Sequence, residues 1–257
     1  MITTDCIRNG LEKSEFFLEY LPTLSLANGR CTGAEALIRW KRGAEILQPV
    51  SFIPVAENTT LSGLLTYWVI DTVALELGKW LHENPTAHLS INVPPEILGR
   101  GGILFAATKA NLIDLAPQLI IEITERGLPD ALGVESINEY RKIGIRVAMD
   151  DFSHGSRANM AILARANFDI IKLDKTLCAQ ITNSNKNPDW LAGITAMMQS
   201  SQLSVIAEGV ETEVQHYVLK QARIQEAQGF YFSGSLSSAD FIDFYNSNQV
   251  ENGSVTP

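Results

Sequence analysis

Residues 16–40 read FFLEYLPTLSLANGRCTGAEALIRW, and this stretch contains two strand candidates. The first is Phe16–Leu24 and the second is Cys31–Trp40, and the short turn Ala27-Asn28-Gly29 lies between them. A connection this short has no room for a crossover helix, so the two strands must be antiparallel neighbours. Any sheet that forms from this sequence therefore begins with an antiparallel hairpin.

Beyond the hairpin, short apolar runs alternate with longer segments of helical character. The further strands are predicted at His88–Val93, Gln118–Thr124, Arg146–Asp151, Ile170–Leu173, Ser204–Ala207 and Ala227–Phe232. Helices are predicted at Ser51–Glu57, Leu61–His82, Pro95–Arg100, Ile103–Asn111, Ala131–Ile143, Met160–Ala166, Asp189–Ser201, Glu211–Gln221 and Ser238–Asn246. Eight strands with helices mostly between them favour an α/β fold of the (β/α)8 barrel type with an irregular start. The alternative is a doubly wound open sheet, but no Gly-rich phosphate loop follows an early strand.

The composition is that of a globular protein. Of the 257 residues, 46% are hydrophobic and 19% are charged, which excludes long disordered segments. No internal linker or repeat divides the chain. We therefore expect one domain over residues 1–257, with a core at about 15–245 and a polar tail at 246–257.

Charge and cysteine usage restrict the partners and the compartment. Twenty Lys and Arg against 29 Asp and Glu give a formal charge of −9, which argues against a nucleic-acid or anionic-membrane binder. The longest apolar stretch, residues 61–80, contains charged residues and predicts a buried helix rather than a membrane span. The three cysteines are far apart and no apolar signal segment begins the sequence, so we expect free thiols and a cytoplasmic protein.

Most of the predicted strands carry a polar residue at or near the carboxyl end. A solvated outer face would explain any one of them, but not the repetition. In a barrel these strand ends converge on the face where active sites lie. The residues concerned are Glu35, Asn92, Glu122, Asp150, Lys172 and Glu208.

Crowded carboxylates repel one another and take up protons unless a cation neutralises them. Carboxylate and amide oxygens without His or Cys favour Mg²⁺ or Mn²⁺ over Zn²⁺. At a strand end the chain can turn, so that the adjacent Asp150 and Asp151 reach one place. Carboxylates that flank two metal ions suit phosphodiester hydrolysis, and Lys172 adds positive charge for a phosphate or the attacking water.

Eight sequence motifs, in order over about residues 15–245, resemble the EAL family of cyclic-di-GMP phosphodiesterases. One Glu-Ala-Leu tripeptide occurs often by chance, whereas eight ordered motifs are specific. The motifs are Glu35-Ala36-Leu37-Ile38-Arg39-Trp40, Phe52-Ile53-Pro54-Val55-Ala56-Glu57, Ser90-Ile91-Asn92, Glu122-Ile123-Thr124-Glu125, Asp150-Asp151-Phe152, Lys172-Leu173-Asp174, Ala207-Glu208-Gly209-Val210-Glu211-Thr212 and Gln228-Gly229-Phe230-Tyr231-Phe232-Ser233.

The resemblance implies a modified TIM (β/α)8 barrel with one antiparallel strand, in agreement with the short first hairpin. It also implies hydrolysis of cyclic di-GMP to linear pGpG with one or two Mg²⁺ or Mn²⁺ ions. By motif position, Glu35, Asn92, Glu122 and Asp150 match the ligands of the first ion. Asp150 would bridge to a second ion, with Asp151 beside it.

The remaining roles also follow from the resemblance. Glu208 matches either a second-metal ligand or a general base. Lys172 matches the lysine that contacts the attacking water or the phosphate. Together with Asp151, these two residues are the implied catalytic residues. The implied partners are cyclic di-GMP, a second copy of the chain in a homodimer, and a regulatory protein.

Substrate contacts are implied for three residues. Arg39 matches a phosphate contact, while Leu37 and Gln228 line the site. Glu125 and Glu211 match supporting positions that hold the loop after the fifth strand.

The sequence departs from the family pattern in three places. Leu21 replaces a glutamine and removes a polar contact, which weakens binding about tenfold. The loop after the fifth strand keeps one of two glycines, and Ser153 in place of the other would strain or re-route it. This change argues against efficient catalysis and against the usual dimer. Ser233-Gly234-Ser235 stands where the family has Ser-Arg-Pro, and so lacks a basic residue.

Three functions are consistent with these features of the sequence. The intact acidic set with Lys172 predicts an active phosphodiesterase. The altered loop and Leu21 favour a catalytically silent domain that binds cyclic di-GMP or a protein partner. A barrel enzyme acting on another phosphodiester is a third interpretation. Retention of the metal ligands favours the enzyme.

Overall fold

The computed structural model describes residues 1–123, 130–153, 163 and 165–249. Its strands are β1 (Phe16–Ser25), β2 (Cys31–Arg42), β3 (Glu45–Leu47), β4 (His88–Val93), β5 (Leu119–Ile123), β6 (Arg146–Phe152), β7 (Ile170–Leu173), β8 (Ser204–Ala207) and β9 (Glu226–Ala227). The α-helices in these ranges are α1 (Thr4–Glu12), α2 (Ile53–Ala56), α3 (Thr60–Glu83), α4 (Gly102–Lys109), α5 (Ala131–Lys142), α6 (Lys175–Cys178), α7 (Asp189–Ser200), α8 (Glu213–Gln221) and α9 (Ser238–Ser247). Short 3-10 helices lie at Pro49–Ser51, Pro95–Ile97 and Ile113–Gln118.

The sheet closes on itself as a barrel. Its strand order is β1-β9-β8-β7-β6-β5-β4-β2, and β2 pairs back with β1, while β3 extends the outer edge of β2. The neighbours from β2 through β4 to β9 are parallel, and β1 is antiparallel to both β2 and β9. This confirms the modified TIM barrel with one antiparallel strand, and the open doubly wound sheet is wrong.

The predicted antiparallel hairpin is confirmed. β1 and β2 pair from Phe16 with Trp40 to Thr23 with Gly33. The turn glycine Gly29 has a φ of +75°, which a residue with a side chain rarely adopts. Gly33 permits the next pairing, because a Cβ at this position would lie 2.1 Å from the carbonyl oxygen of His88 in β4.

Three strands, β4, β7 and β8, have the predicted bounds, whereas the last one does not. The predicted strand Ala227–Phe232 ends at Ala227. Gly229, at a φ of +147°, turns the chain where a Cβ would lie 2.4 Å from the backbone of Val210. Close backbone packing at a glycine thus ends the strand, which apolar content alone did not predict.

Most helices lie where the sequence predicts them, but several differ from the predicted length. The predicted helix Pro95–Arg100 is a single 3-10 turn, because Gly99 and Gly101 both have positive φ. The helix predicted from Glu211 begins at Glu213, where Thr212 and Gln215 form a capping box. The predicted helix Met160–Ala166 lies mostly outside the described residues. Elements that were not predicted are α1, β3, α6 and the 3-10 helix Ile113–Gln118.

The long helix α3 packs against the barrel along one stripe, with Leu61, Val73 and Leu77 among its buried residues. Thr59 caps its start by accepting a hydrogen bond from the Leu61 amide. Nowhere in the described part of the chain does a helix combine the length and apolar character needed to cross a bilayer.

An apolar layer inside the barrel forms the floor of the site. Ile120, Ala148, Ile170 and Ile206 pack together in a small buried cluster. Because side chains alternate faces along a strand, the residue two positions later points into the barrel as well. Those later residues are Glu122, Asp150, Lys172 and Glu208.

Candidate functional site

The ammonium group of Lys172 lies at the centre of the carboxyl-terminal mouth of the barrel. Its Nζ is 2.6 Å from Glu208 Oε1, 2.7 Å from Glu122 Oε2, 2.9 Å from Glu35 Oε2 and 3.4 Å from Asp150 Oδ1. These five residues come from or directly follow β2, β5, β6, β7 and β8. The fold therefore brings together the charged residues that the strand-end pattern singled out.

Two side-chain amides orient this cluster. Asn92 Nδ2 donates a hydrogen bond to Glu35 Oε1 at 2.7 Å. Gln228 Nε2 donates to Glu35 Oε2 at 2.7 Å and to Glu208 Oε1 at 3.1 Å. Thr23 in β1 in turn donates to Gln228 Oε1 at 3.3 Å. Because the amide nitrogens are the donors, the amide oxygen of Asn92 is the atom that a cation would use.

Burial raises the pKa of three carboxyl groups in the cluster. The pKa of Glu122 is held well above its usual value by burial and then by the neighbouring Glu35 charge. Burial also raises the pKa of Asp150, and it raises that of Glu208 to about 8. In each case Lys172 opposes the shift but does not cancel it.

The other two groups stay ionised. Burial alone would raise the pKa of Glu35, but Lys172 and the hydrogen bonds from Gln228 and Asn92 bring it below its usual value. For Lys172, burial favours the neutral amine, yet the surrounding carboxylates raise its pKa well above normal. One ammonium thus faces four carboxyl groups, and the cluster favours an additional proton or cation.

The residues present fit a divalent cation. Glu122 Oε1 and Asp150 Oδ1 are buried and make no hydrogen bond within the described ranges. Carboxylate oxygens of Asp150, Asp151 and Glu208 lie within 4.8 Å of one another. All these donors are oxygens, as Mg²⁺ and Mn²⁺ prefer. The buried acidic cluster can therefore hold a metal ion.

The two adjacent aspartates reach one place through an irregularity in β6. The pairing of β6 with β7 shifts register between Met149 and Phe152. Within this shift Asp151 has a φ of +51°, a left-handed conformation that is uncommon for a residue with a side chain. In a regular strand the two carboxylates would point to opposite faces, so the bulge is what joins Asp151 to the cluster.

A cleft of about 540 Å³ opens beside the acidic cluster. Its volume is within the range of small-molecule sites. Leu37 lies in its wall. Its lining also includes Glu35, Asn92, Asp150, Asp151 and Ile53.

Two predicted residues, Arg39 and Glu211, lie apart from the cluster. Arg39 is buried further along β2 and donates from Nε to Glu19 Oε2 at 2.8 Å. Glu211 is exposed, and its backbone amide donates to Gln215 Oε1 at 2.8 Å. Glu125 lies outside the described residues.

The structure also places the positions where the sequence departs from the family pattern. Leu21 pairs with Glu35 across the hairpin and so faces the site. Ser153 is not among the described residues with positive φ, so the structure shows no left-handed backbone at this serine; the left-handed residue is Asp151. The rest of the altered loop, residues 154–162, lies outside the described residues.

Sequence reasoning missed three side chains around the site. Thr23 and Glu19 lie in β1, and Ser235 follows the turn after β9. Alternation along the first strand was a usable signal, since Glu19, Leu21 and Thr23 share a face with Glu35 across the hairpin. Ser235 had no such signal, because its place depends on how the chain returns to β1.

The chain is similar to proteins of one family. The family model of the EAL domain matches residues 5–235. The probable cyclic di-GMP phosphodiesterase PdeB of Escherichia coli (strain K12) is 33% identical over 240 residues, which are 92% of this chain and 46% of PdeB. The cyclic di-GMP phosphodiesterase PdeR of the same organism is 31% identical over 247 residues, 93% of this chain and 37% of PdeR. The chain thus spans less than half the length of these relatives.

Solved structures share the fold. The EAL enzyme Bd1971, in its form with cAMP and cyclic di-GMP bound, superposes with a TM-score of 0.84 at 24% identity over 94% of this chain and 67% of that one. The PaMucR phosphodiesterase in complex with c-di-GMP gives a TM-score of 0.81 at 24% identity over 91% of this chain and 97% of that one.

Proposed function

The chain belongs to the EAL domain family, and on this premise we propose that it is a metal-dependent phosphodiesterase that hydrolyses cyclic di-GMP to linear pGpG. The observation that carries the proposal is the position of Lys172 among four buried carboxylates at the barrel mouth. The names of the relatives PdeB and PdeR support the substrate.

The metal would be Mg²⁺ or Mn²⁺, held by the oxygen donors of the acidic cluster. Glu35, Asn92, Glu122 and Asp150 are the proposed ligands of one ion, and Asp150 with Asp151 of a second. A divalent ion bound there supplies a water of lowered pKa and stabilises negative charge on the phosphoryl group.

Lys172 has two tasks in this proposal. In the metal-free protein it neutralises part of the carboxylate charge, and in the reaction it donates an N–H to a phosphate oxygen or to the attacking water. Its raised pKa keeps it protonated throughout the physiological range. A fixed buried ammonium of this kind stabilises developing negative charge without reorganisation of solvent.

Glu208 is either a ligand of the second ion or the general base. Burial raises its pKa to about 8, so its carboxylate is a stronger base than an exposed glutamate. Gln228 orients it by donating to Oε1 at 3.1 Å. Arg39 is proposed to bind a phosphate of the substrate, and the cleft beside Leu37 and Ile53 is proposed to take the nucleoside parts. Glu125 and Glu211 remain proposed supports of the loop after β6.

The test is turnover by the purified chain in Mg²⁺ and in Mn²⁺, with pGpG separated by chromatography. We expect conversion of cyclic di-GMP to pGpG and a loss of at least about 100-fold in kcat for Glu35→Ala. Glu83→Ala, at an exposed carboxylate of α3, is the matched control and should keep the wild-type rate. Absence of turnover in both metals, or equal rates for Glu35→Ala and wild type, would contradict the proposal.

A second candidate function is a catalytically silent receptor for cyclic di-GMP or for a protein partner. It is favoured by Leu21, an apolar residue on the face of Glu35. Calorimetry distinguishes the two functions: tight binding of cyclic di-GMP without pGpG production in either metal identifies the receptor.

We also propose a setting and partners for the protein. Cys6, Cys31 and Cys178 are free thiols, which fits the cytoplasm. We propose that the chain forms a single domain with its core at about 15–245, that it forms a homodimer, and that it binds a regulatory protein. Sedimentation of the purified chain tests the dimer.

A further inference from the structure

Arg39 is held by two residues that the sequence motifs do not include. Its Nε donates to Glu19 Oε2 at 2.8 Å, and its Nη2 lies 3.4 Å from Ser235 Oγ. The Ser235 hydroxyl itself donates to the same Glu19 oxygen at 2.6 Å. These three side chains form a closed triangle of hydrogen bonds, which we call the Glu19 clamp.

The topology of the barrel builds the Glu19 clamp. Glu19 pairs with Leu37 across the antiparallel hairpin, so it is the diagonal neighbour of Arg39 on the same face. The chain returns to β1 after β9, where Tyr20 and Leu236 exchange two backbone hydrogen bonds of 2.7 and 2.9 Å. This bridge places Ser235 beside Glu19.

The clamp also explains the departure at Ser233-Gly234-Ser235 from the Ser-Arg-Pro of the family pattern. Proline has no hydroxyl and could not take the place of Ser235 in the triangle. The basic residue expected at position 234 is absent, and Glu19 pairs with Arg39. The missing basic residue and the carboxylate of Glu19 both lower the positive charge offered to a phosphate here.

The guanidinium of Arg39 retains only part of its donor set. Nε is bound to Glu19, one Nη1 donor goes to the Ile38 carbonyl at 3.1 Å, and one Nη2 donor goes to Ser235. Of the five N–H groups of a guanidinium, one on each terminal nitrogen has no partner among the described residues and can bind a phosphate. The Arg39 side chain is 7% exposed and that of Glu19 28%, so the ion pair is only weakly screened.

We propose that Glu19 is a positioning residue that aims the two remaining Arg39 donors at a substrate phosphate and, by neutralising Arg39, sets a weaker affinity for that phosphate. This inference rests on the proposed function, because it assumes that Arg39 binds a phosphate of cyclic di-GMP. Positioning and neutralisation act in opposite directions on affinity. Two substitutions at position 19 therefore separate them.

Glu19→Gln keeps an oxygen acceptor for Arg39 and removes the negative charge. We expect Kd and KM for cyclic di-GMP to fall about three- to tenfold, with kcat within about twofold of wild type. The Kd should also depend more steeply on salt, because an unpaired arginine then meets the phosphate. A residue with only a structural role would not tighten binding when its charge is removed.

Glu19→Ala removes the acceptor as well as the charge. Arg39 then loses its orientation, and we expect a Kd at least about fivefold weaker than that of Glu19→Gln. Ser235→Ala should weaken binding in the same direction by about two- to threefold. The matched control is Glu15→Gln, because Glu15 is also in the hairpin segment and accepts a hydrogen bond from Trp40 Nε1 at 2.9 Å without touching Arg39.

The experiment combines calorimetry with cyclic di-GMP in EDTA, turnover in Mg²⁺, and the NMR signal of the Arg39 Nε–H. In wild type this signal should be protected from solvent exchange, and in Glu19→Ala it should not. A Kd for Glu19→Gln that equals or exceeds the wild-type value overturns the inference. If wild type and all variants neither bind nor hydrolyse cyclic di-GMP, the proposed function and the affinity effect fail together. Wild-type binding with an unchanged Glu19→Gln overturns the inference alone.

Discussion

The two ends of the barrel interior both bury charged side chains, but they balance the charges differently. At the carboxyl-terminal end, one ammonium, Lys172, faces four carboxyl groups, and two of their oxygens make no hydrogen bond within the described part of the chain. At the amino-terminal end, Arg146 and Glu226 offset each other beside the histidine His88. Among the described residues, the excess of carboxylate is at the first end, which can therefore hold a cation.

The histidine at the amino-terminal end is uncharged at neutral pH. His88 Nδ1 lies 4.0 Å from Glu226 Oε1. Burial lowers the pKa of His88 to about 4; Glu226 opposes this shift and Arg146 adds to it. Burial also lowers the pKa of Arg146, which Glu226 and Asp169 oppose. Among the described residues this end has no cluster of carboxylates like that of the carboxyl-terminal end, in keeping with the general division of a barrel into a catalytic face and a stability face.

The largest expected effect comes from removing the cation of the carboxyl-terminal end. Lys172→Met removes the only cation within 4 Å of these carboxyl groups among the described residues, so the metal-free protein should lose about 3–5 kcal/mol of unfolding free energy at pH 8. Turnover should fall at least about 100-fold. Urea denaturation in EDTA and the pGpG assay measure the two effects.

Metal addition sharpens this test. Mg²⁺ or Mn²⁺ should raise the midpoint of Lys172→Met more than that of wild type, since the ammonium no longer competes for the carboxylates. Lys175→Met is the control, because Lys175 is exposed in α6. Equal stability of Lys172→Met and wild type in EDTA would mean that the two ends of the barrel do not differ as described.

A smaller effect is expected at the amino-terminal end, where pH is the variable. The pKa of His88 is about 4 in the folded state, below the usual 6.5. Between these pH values the unfolded chain therefore binds a proton at His88 that the native state does not bind. The contribution of His88 to stability is complete above about pH 7 and declines as the pH falls towards 4. Between pH 8 and pH 5 this loss amounts to about 2 kcal/mol.

His88→Gln should therefore lose about 2 kcal/mol less than wild type over this pH interval in urea denaturation. His82→Gln, at an exposed histidine of α3, should follow the wild-type slope. A pH dependence in His88→Gln identical to that of wild type would contradict the prediction, because it would mean that His88 has the same pKa in the folded and unfolded states.

The smallest expected effect concerns Leu21 at the carboxyl-terminal end. Leu21→Gln restores a polar side chain on the face of Glu35 and should tighten binding of cyclic di-GMP by up to about tenfold. Calorimetry in EDTA measures the change. Leu21→Met serves as the neutral control, because it keeps an apolar side chain at the same position. A control at Leu18 would not serve, because Leu18 is buried in the core. Weaker binding in Leu21→Gln would show that this position prefers an apolar residue.

Much of the site was predictable because strand alternation is local. Glu35, Glu122, Asp150 and Lys172 could be placed on the inner face from their spacing alone. Their common meeting point at Lys172 Nζ was not predictable from spacing, since it depends on barrel closure between β2 and β9 through β1. The Glu19 clamp was missed for the same reason, because Ser235 reaches Glu19 only through the return of the chain to β1.

The sequence by itself determined the antiparallel hairpin, the family and the residue types at the strand ends, because each of these depends on short-range geometry or on ordered motifs. Only the tertiary structure decided that Asp151 joins Asp150 through a bulge in β6, and that Glu19 and Ser235 hold Arg39. Such arrangements depend on contacts between segments that are far apart in the chain. The free energy of those contacts cannot be judged from the sequence of any one segment.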